Sequence, residues 1–179
     1  MNPNVKKILI SEEMITERCK ELAKELDADY ANSERPILFV ALLKGSVPFL
    51  AELIKRVNLD IEIDFMDVSS YDGVESIGDI KINKDLDSSV KGVDIVLVED
   101  IVDTGRTLKT VVEMLRNKGA NSVKIVTLLD KPSRRIMDVK ADYIGFEVEN
   151  EFVVGFGLDF NQKYRNLPYI GVLKEECYQ

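Results

Sequence analysis

The stretch that decides the fold is Val96-Leu-Val-Glu-Asp-Ile-Val-Asp-Thr-Gly-Arg-Thr107. Its apolar front reads as a strand buried on both faces, as strands of a parallel sheet are. The strand runs into two adjacent acids, Glu99 and Asp100. A short turn, Asp103-Thr104-Gly105-Arg106-Thr107, then opens a helix whose apolar positions are Leu108, Val111, Val112 and Leu115. Amides at a helix start have no intrahelical partner, so such a turn can cradle a phosphate. Gly105 allows close approach of the main chain, and Thr104 and Thr107 add hydroxyl donors. Acids beside an anion site call for something cationic or hydroxyl-rich, a requirement that Mg²⁺ and ribose hydroxyls meet. The turn lacks the G-x-x-x-x-G-K-[ST] of a P-loop and has a single glycine, so it is no dinucleotide fingerprint either. Alone, Asp-Thr-Gly is also ordinary helix-capping chemistry. The buried strand and the acid pair in front of it favour the ligand site.

Outward from this stretch the same alternation repeats. Residues 37–43 (ILFVALL) form another buried strand, followed by a helix over 47–57. Upstream, a helix over 11–27 starts at the N-cap Ser11, with Glu12 and Glu13 in its first turn and Ile15, Cys19, Leu22, Ala23 and Leu26 on one face. Residues 61–68 alternate like a half-exposed strand and 80–82 make a short partner. The polar segment between them reads as a long mobile loop. Gly119 ends the helix after the phosphate turn, and strands follow over 122–129 and 142–148. Buried strands alternating with amphipathic helices predict an α/β domain with a mainly parallel sheet. Ligands of such sheets bind at the carboxyl ends of the strands, so the chemistry is expected after VALL, VLVED and TLLD.

Composition narrows the chemistry. The 179 residues, 45% apolar and 31% charged, suit one domain over 1–179. No apolar run is long enough for a membrane span, and no secretory signal is visible, which predicts a cytoplasmic protein with no membrane partner. Cys19 and Cys177 lie far apart and fit a reducing compartment better than a disulfide framework. There is no histidine, so any proton transfer falls to Asp, Glu, Lys or Tyr. The net charge of −8 repels nucleic acid, and a polyanionic substrate would need local donors and a divalent cation.

Segments between about 38 and 173 resemble, in order, those of the type I phosphoribosyltransferases, the hypoxanthine-guanine phosphoribosyltransferase family in particular. The resemblance implies that family's fold, a central mainly parallel sheet flanked by helices. It adds a small hood from the N-terminal segment and about 150–179, and a mobile flap loop over about 69–80 carrying Ser70 and Tyr71. It implies Mg²⁺-dependent transfer of phosphoribosyl from phosphoribosyl pyrophosphate to hypoxanthine or guanine, in a homodimer or homotetramer. Glu99, Asp100, Asp103, Thr104, Gly105, Arg106 and Thr107 would bind the phosphoribosyl group, the side chain of Arg106 not being needed for a backbone cradle. Asp103 would be the proton acceptor. Lys44 and Gly45, after a Leu43–Lys44 peptide that is typically cis in the family, would bind pyrophosphate with Arg165. Lys131 would donate to the purine O6, Phe152 stack on the base and the Val153 main chain read its edge. Glu99, Asp100 and Asp159 would attend the metal. Taken singly, several of these have plainer readings: Lys44 and Lys131 as strand-end lysines in solvent, Phe152 as a core aromatic, Arg165 as a surface charge. Glu151 departs from the lysine often found before the stacking Phe, at a position expected to face solvent. Two rival readings are a xanthine-preferring phosphoribosyltransferase and an RNA-binding regulator on the same fold. The acidic balance and the lack of a basic-aromatic stripe weigh against the second.

Overall fold

The computed structural model describes residues 1–70 and 80–178, with the side chain of Ser70 left aside. A six-stranded sheet forms the centre. It contains β2 (Ile37–Leu42), β3 (Glu62–Ser70), β4 (Ile80–Lys84), β5 (Asp94–Val102), β6 (Ser122–Asp130) and β7 (Tyr143–Glu147), ordered β4-β3-β2-β5-β6-β7. All neighbours pair in parallel except β4, which runs antiparallel to β3 at one edge.

The apolar runs of β2, β5 and β6 are continuous because both of their faces are covered. Phe39, Ala41, Val96, Val98, Val126 and Leu128 pack with α1 (Glu12–Tyr30) and α2 (Val47–Ile54). The alternate positions Val40, Leu42, Ile95, Leu97, Val123 and Ile125 pack with α3 (Arg106–Asn117). The predicted apolar faces of α1 and α3 are the buried ones, and Ser11 caps α1 by accepting from the Met14 amide at 3.3 Å.

The chain leaves β2 through α2 toward β3 and leaves β5 through α3 toward β6, on opposite faces of the sheet. The carboxyl ends of β2 and β5 therefore flank a topological switch point, where a crevice opens. A second, three-stranded antiparallel sheet joins the two ends of the chain, in the order β1 (Val5–Ile10), β9 (Ile170–Leu173), β8 (Val153–Val154). This is the hood that the resemblance implied.

Several boundaries differ from the sequence reading. α1 continues to Tyr30, and α2 stops at Ile54, where 3-10-type bonds from the Arg56 and Val57 amides to Leu53 and Ile54 carbonyls close it. β5 extends past the acids to Val102, since its ladder to β6 resumes at Ile101–Leu129 and Val102–Asp130. Glu99 and Asp100 therefore belong to the strand rather than to the turn after it.

Candidate active site

Because side chains alternate along a strand, Glu99 continues the face of Leu97 and Asp100 that of Val98. The acids thus open to opposite sides of the strand end. Glu99, with residues 101–108, walls a cleft of about 130 Å³ at the start of α3. Gly105 caps that helix with φ +81°, and a Cβ there would lie 2.4 Å from the Val139 side chain. Both conformation and space demand glycine. The turn is braced from outside. The Thr104 carbonyl accepts from the Ile136 and Met137 amides at 3.0 and 3.1 Å. Arg135 donates to the carbonyls of Asp103 (3.0 Å), Val139 (2.6 Å) and Val102 (3.3 Å) and pairs with the buried Asp130 carboxylate. Sequence reasoning missed Arg135; its only signal was a second arginine after Lys131-Pro-Ser.

Asp100 opens toward the β2 turn. A Cβ on Gly45 would lie 1.6 Å from Asp100 Oδ2, so glycine is what lets this turn close on the acid. The Leu43–Lys44 peptide before it is cis, as the resemblance led one to expect. Gly157 closes the same corner, since a Cβ there would fall 1.9 Å from the Gly45 carbonyl oxygen. Arg165 spans this loop: it donates to the Gly157 carbonyl at 2.7 Å and pairs with Asp159 at 3.0 Å, while its Nε is buried without a partner among the described residues. Phe156, Asn161, Gln162 and Tyr164 all hold left-handed φ in this segment, a cluster uncommon for non-glycine residues. Lys44 is exposed at the rim.

The acid pair is uncompensated. Burial, reinforced by the neighbouring Asp100 charge, pushes the Glu99 carboxyl well above the ordinary range, and its Oε2 is buried without a hydrogen-bond partner among the described residues. Burial raises Asp100 to about 6, with the Ile101 amide and Arg165 opposing the rise and Asp159 adding to it. An orphaned carboxylate oxygen next to a second desolvated acid suits a cation or sugar hydroxyls. Among the described residues no three acids converge as a complete metal cage. Magnesium rarely asks for one, since it binds through one or two carboxylates with substrate oxygens and waters. Asp159 is already engaged, by Arg165 and by the Gln162 amide at 2.8 Å, so its reach to a metal would pass through water.

The third corner lies at the end of β6. Lys131 is buried, 8% exposed, and donates to the Glu151 carbonyl at 2.7 Å. Burial lowers its pKa, with Asp103 and Glu151 opposing and Arg134 adding to the fall. Asp103 is not free toward a base: its Oδ1 pairs with Arg134 Nε at 2.8 Å. Phe152 is 38% exposed and starts the hood segment that continues into the buried Val153. Glu151 is partly buried and paired with Lys7 at 2.8 Å, so a cation from β1 stands beside it instead of open solvent. The side chain of Ser70 and the whole of Tyr71 lie outside the described residues. The structure thus joins Glu99 to the 103–107 turn, Asp100 to Gly45, Arg165 and Asp159, and Lys131 to Asp103 and the 151–153 segment.

Comparison with known proteins gives the same picture. The phosphoribosyl transferase domain model matches residues 7–161. A hypoxanthine-guanine phosphoribosyltransferase of Streptococcus agalactiae is 54% identical over 98% of this chain and 97% of its own. One from Lactococcus lactis is 57% identical over 97% and 94%. A crystal structure of a hypoxanthine phosphoribosyltransferase from Staphylococcus aureus superposes with a TM-score of 0.94 at 50% identity, covering 98% of this chain and 95% of that one. With its crevice at the β2–β5 switch point and its relatives matched end to end, the chain belongs to the phosphoribosyl transferase family, in its hypoxanthine-guanine branch.

Proposed function

We propose that the chain transfers the phosphoribosyl group of phosphoribosyl pyrophosphate to hypoxanthine or guanine, releasing pyrophosphate, with Mg²⁺ as cofactor. The observation that carries the reading is the acid pair at the end of β5, desolvated and without an ion-pair partner among the described residues, between a helix-start phosphate cleft and a glycine corner held by Arg165.

The residue roles follow from that layout. The 5′-phosphate sits against the main chain of 103–107, where the orphan amides of the helix start and the hydroxyls of Thr104 and Thr107 can meet it. Glu99, on the phosphate side, and Asp100, on the opposite side, hold the ribose hydroxyls and the metal associated with them. Lys44, Gly45 and Arg165 take pyrophosphate, with Asp159 near its metal through water. When bound, Mg²⁺ neutralises charge building on the departing pyrophosphate. Lys131 donates to the purine O6, Phe152 stacks on the ring, and the Val153 main chain reads the edge. An amino group at position 6 would set donor against donor, which disfavours adenine. Asp103 accepts the purine proton once the base displaces or shares Arg134. A carboxylate is a reasonable acceptor in a chain without histidine. Ser70 and Tyr71 are proposed to close over the reacting carbon and exclude water. The protein is proposed to act as one domain, in the cytoplasm, as a homodimer or homotetramer.

The decisive experiment measures nucleotide formation from hypoxanthine, guanine, xanthine and adenine, each with phosphoribosyl pyrophosphate, with Mg²⁺ or with EDTA. The expected result is metal-dependent turnover of the first two. Turnover that ignores EDTA, or a preference for adenine, would overturn the reading.

A further inference from the structure

Tyr178 covers one face of the Phe152 ring. The Tyr178 ring lies nearly parallel to it, centroids 4.7 Å apart and planes 18° from parallel. Phe160 meets the same ring edge-on at 5.6 Å and 87°. Both geometries are those that aromatic quadrupoles favour. With these partners in place Phe152 still keeps 38% of its surface open.

The hood supplies both aromatic partners. Val153 turns into the main core, whereas Val154 belongs to the small cluster of the hood that also holds Phe160 and Cys177. Phe152 shares the Val154 side of β8, because side chains alternate along a strand. Tyr178 follows directly on Cys177, in a turn held by the Tyr178 amide donating to the Glu175 carbonyl at 3.1 Å. Both aromatic partners therefore reach Phe152 from the hood cluster. Lys131 approaches from the end of β6 and bonds the carbonyl of the residue just before it.

We infer that Tyr178 is a positioning residue for the base: it backs the Phe152 ring, so that an incoming purine completes a three-ring stack of Tyr178, Phe152 and base. The inference rests on Phe152 being the stacking residue of the proposed function. Two rings held by packing give the base a platform whose rotation is already restricted, and less ordering is left to accomplish on binding. The role asks for a ring and not for the phenol hydroxyl.

The test is steady-state kinetics of the full chain with hypoxanthine and phosphoribosyl pyrophosphate. Tyr178→Ala should raise KM for hypoxanthine about two- to tenfold, the range that an aromatic pair's stacking energy gives. kcat and KM for phosphoribosyl pyrophosphate should hold within about twofold, and Tyr178→Phe should restore the wild-type KM. In a Phe152→Ala background, Tyr178→Ala should add nothing further. An unchanged hypoxanthine KM in Tyr178→Ala overturns the inference, and a lowered one shows instead that the ring sits where the base must go. If Phe152→Ala leaves that KM unchanged, the stacking role of Phe152 falls first. If Phe152→Ala raises it and Tyr178→Ala does not, only the Tyr178 inference falls.

Discussion

Replacing Asp100 by asparagine should stabilise the ligand-free protein at alkaline pH while removing most of its turnover. Burial holds this carboxyl at about 6 against an ordinary 3.8. Between those values the native chain keeps a proton that the unfolded chain has released. Native stability therefore falls as pH rises through that window, and the penalty is complete above it. A rise of roughly two units, at about 1.4 kcal/mol each, makes the penalty on the order of 3 kcal/mol near pH 8. Asparagine keeps an oxygen for the Ile101 amide, which donates to Asp100 Oδ1 at 2.7 Å, and carries no charge. In a chain of this length each kcal/mol moves Tm by about 2–4 °C. The variant should thus melt roughly 6–12 °C above wild type near pH 8, and the gain should shrink to about a third near pH 4.5. The assay is thermal unfolding by circular dichroism in EDTA, without substrate, at both pH values. The readout is the difference from wild type, because acids such as Asp29 and Asp85, whose pKa values are lowered in the fold, tilt the wild-type curve the other way. A variant less stable than wild type near pH 8, or a gain of equal size at both pH values, would refute the reasoning.

Three further outcomes are expected. Asp103→Asn should cut kcat by about a hundredfold or more while KM for phosphoribosyl pyrophosphate changes only a few-fold; equal damage to both would mark a binding role. Lys131→Ala should narrow the preference for hypoxanthine over adenine, read as the ratio of kcat/KM values, and an unmoved ratio would remove Lys131 from base reading. Arg135→Ala breaks a pair whose side chains are 16% and 8% exposed and removes the guanidinium bonds to the Asp103 and Val139 carbonyls, the Val102 carbonyl keeping the Lys131 amide. Denaturant unfolding should show a loss of about 3 kcal/mol, and a loss below about 1 kcal/mol would mean that the bracing of the phosphate turn is dispensable.

The central sheet was legible because burial on two faces leaves its mark residue by residue, and no long-range information is needed to read ILFVAL or DIVLV as interior strands. The small sheet was not. β1 carries Lys6, Lys7 and Ile8 exposed in succession, and β8 is two residues long, so neither has a period to read. Their pairing with β9, Val5 with Leu173 and Val153 with Val172, makes them strands. The site divides in the same way. Gly105 and the acid pair announce themselves by residue type and position, since glycine at a helix start and charge at the end of a buried strand both break a local rule. The clasp of Arg134 on Asp103 and the grip of Arg135 on main-chain carbonyls leave no comparable trace, because a carbonyl is offered by every residue and an arginine near the surface is ordinary. Tyr178 was hidden for another reason: its partner Phe152 lies 26 positions away, joined to it only through the register of β8 on β9.

The acid pair also shows why stability and function pull apart here. A strand end designed for stability alone would carry Val or Thr at both positions, because a buried carboxyl without a partner costs free energy in either protonation state. This fold tolerates two adjacent acids, and among the described residues only Asp100 receives a hydrogen bond, from the Ile101 amide. Gly45 offers no side chain, Arg165 is shared with Gly157 and Asp159, and Glu99 Oε2 has no hydrogen-bond partner among the described residues. Asp100 is met by backbone amides alone, so the remaining demand of the two acids is left to whatever enters the crevice. A cation coordinated by sugar and phosphate oxygens answers that demand and, on arrival, pulls both pKa values down. Binding and ionisation are then one event: affinity for the metal-bound substrate should climb with pH through the region where Asp100 titrates, while the empty protein grows less stable across the same interval.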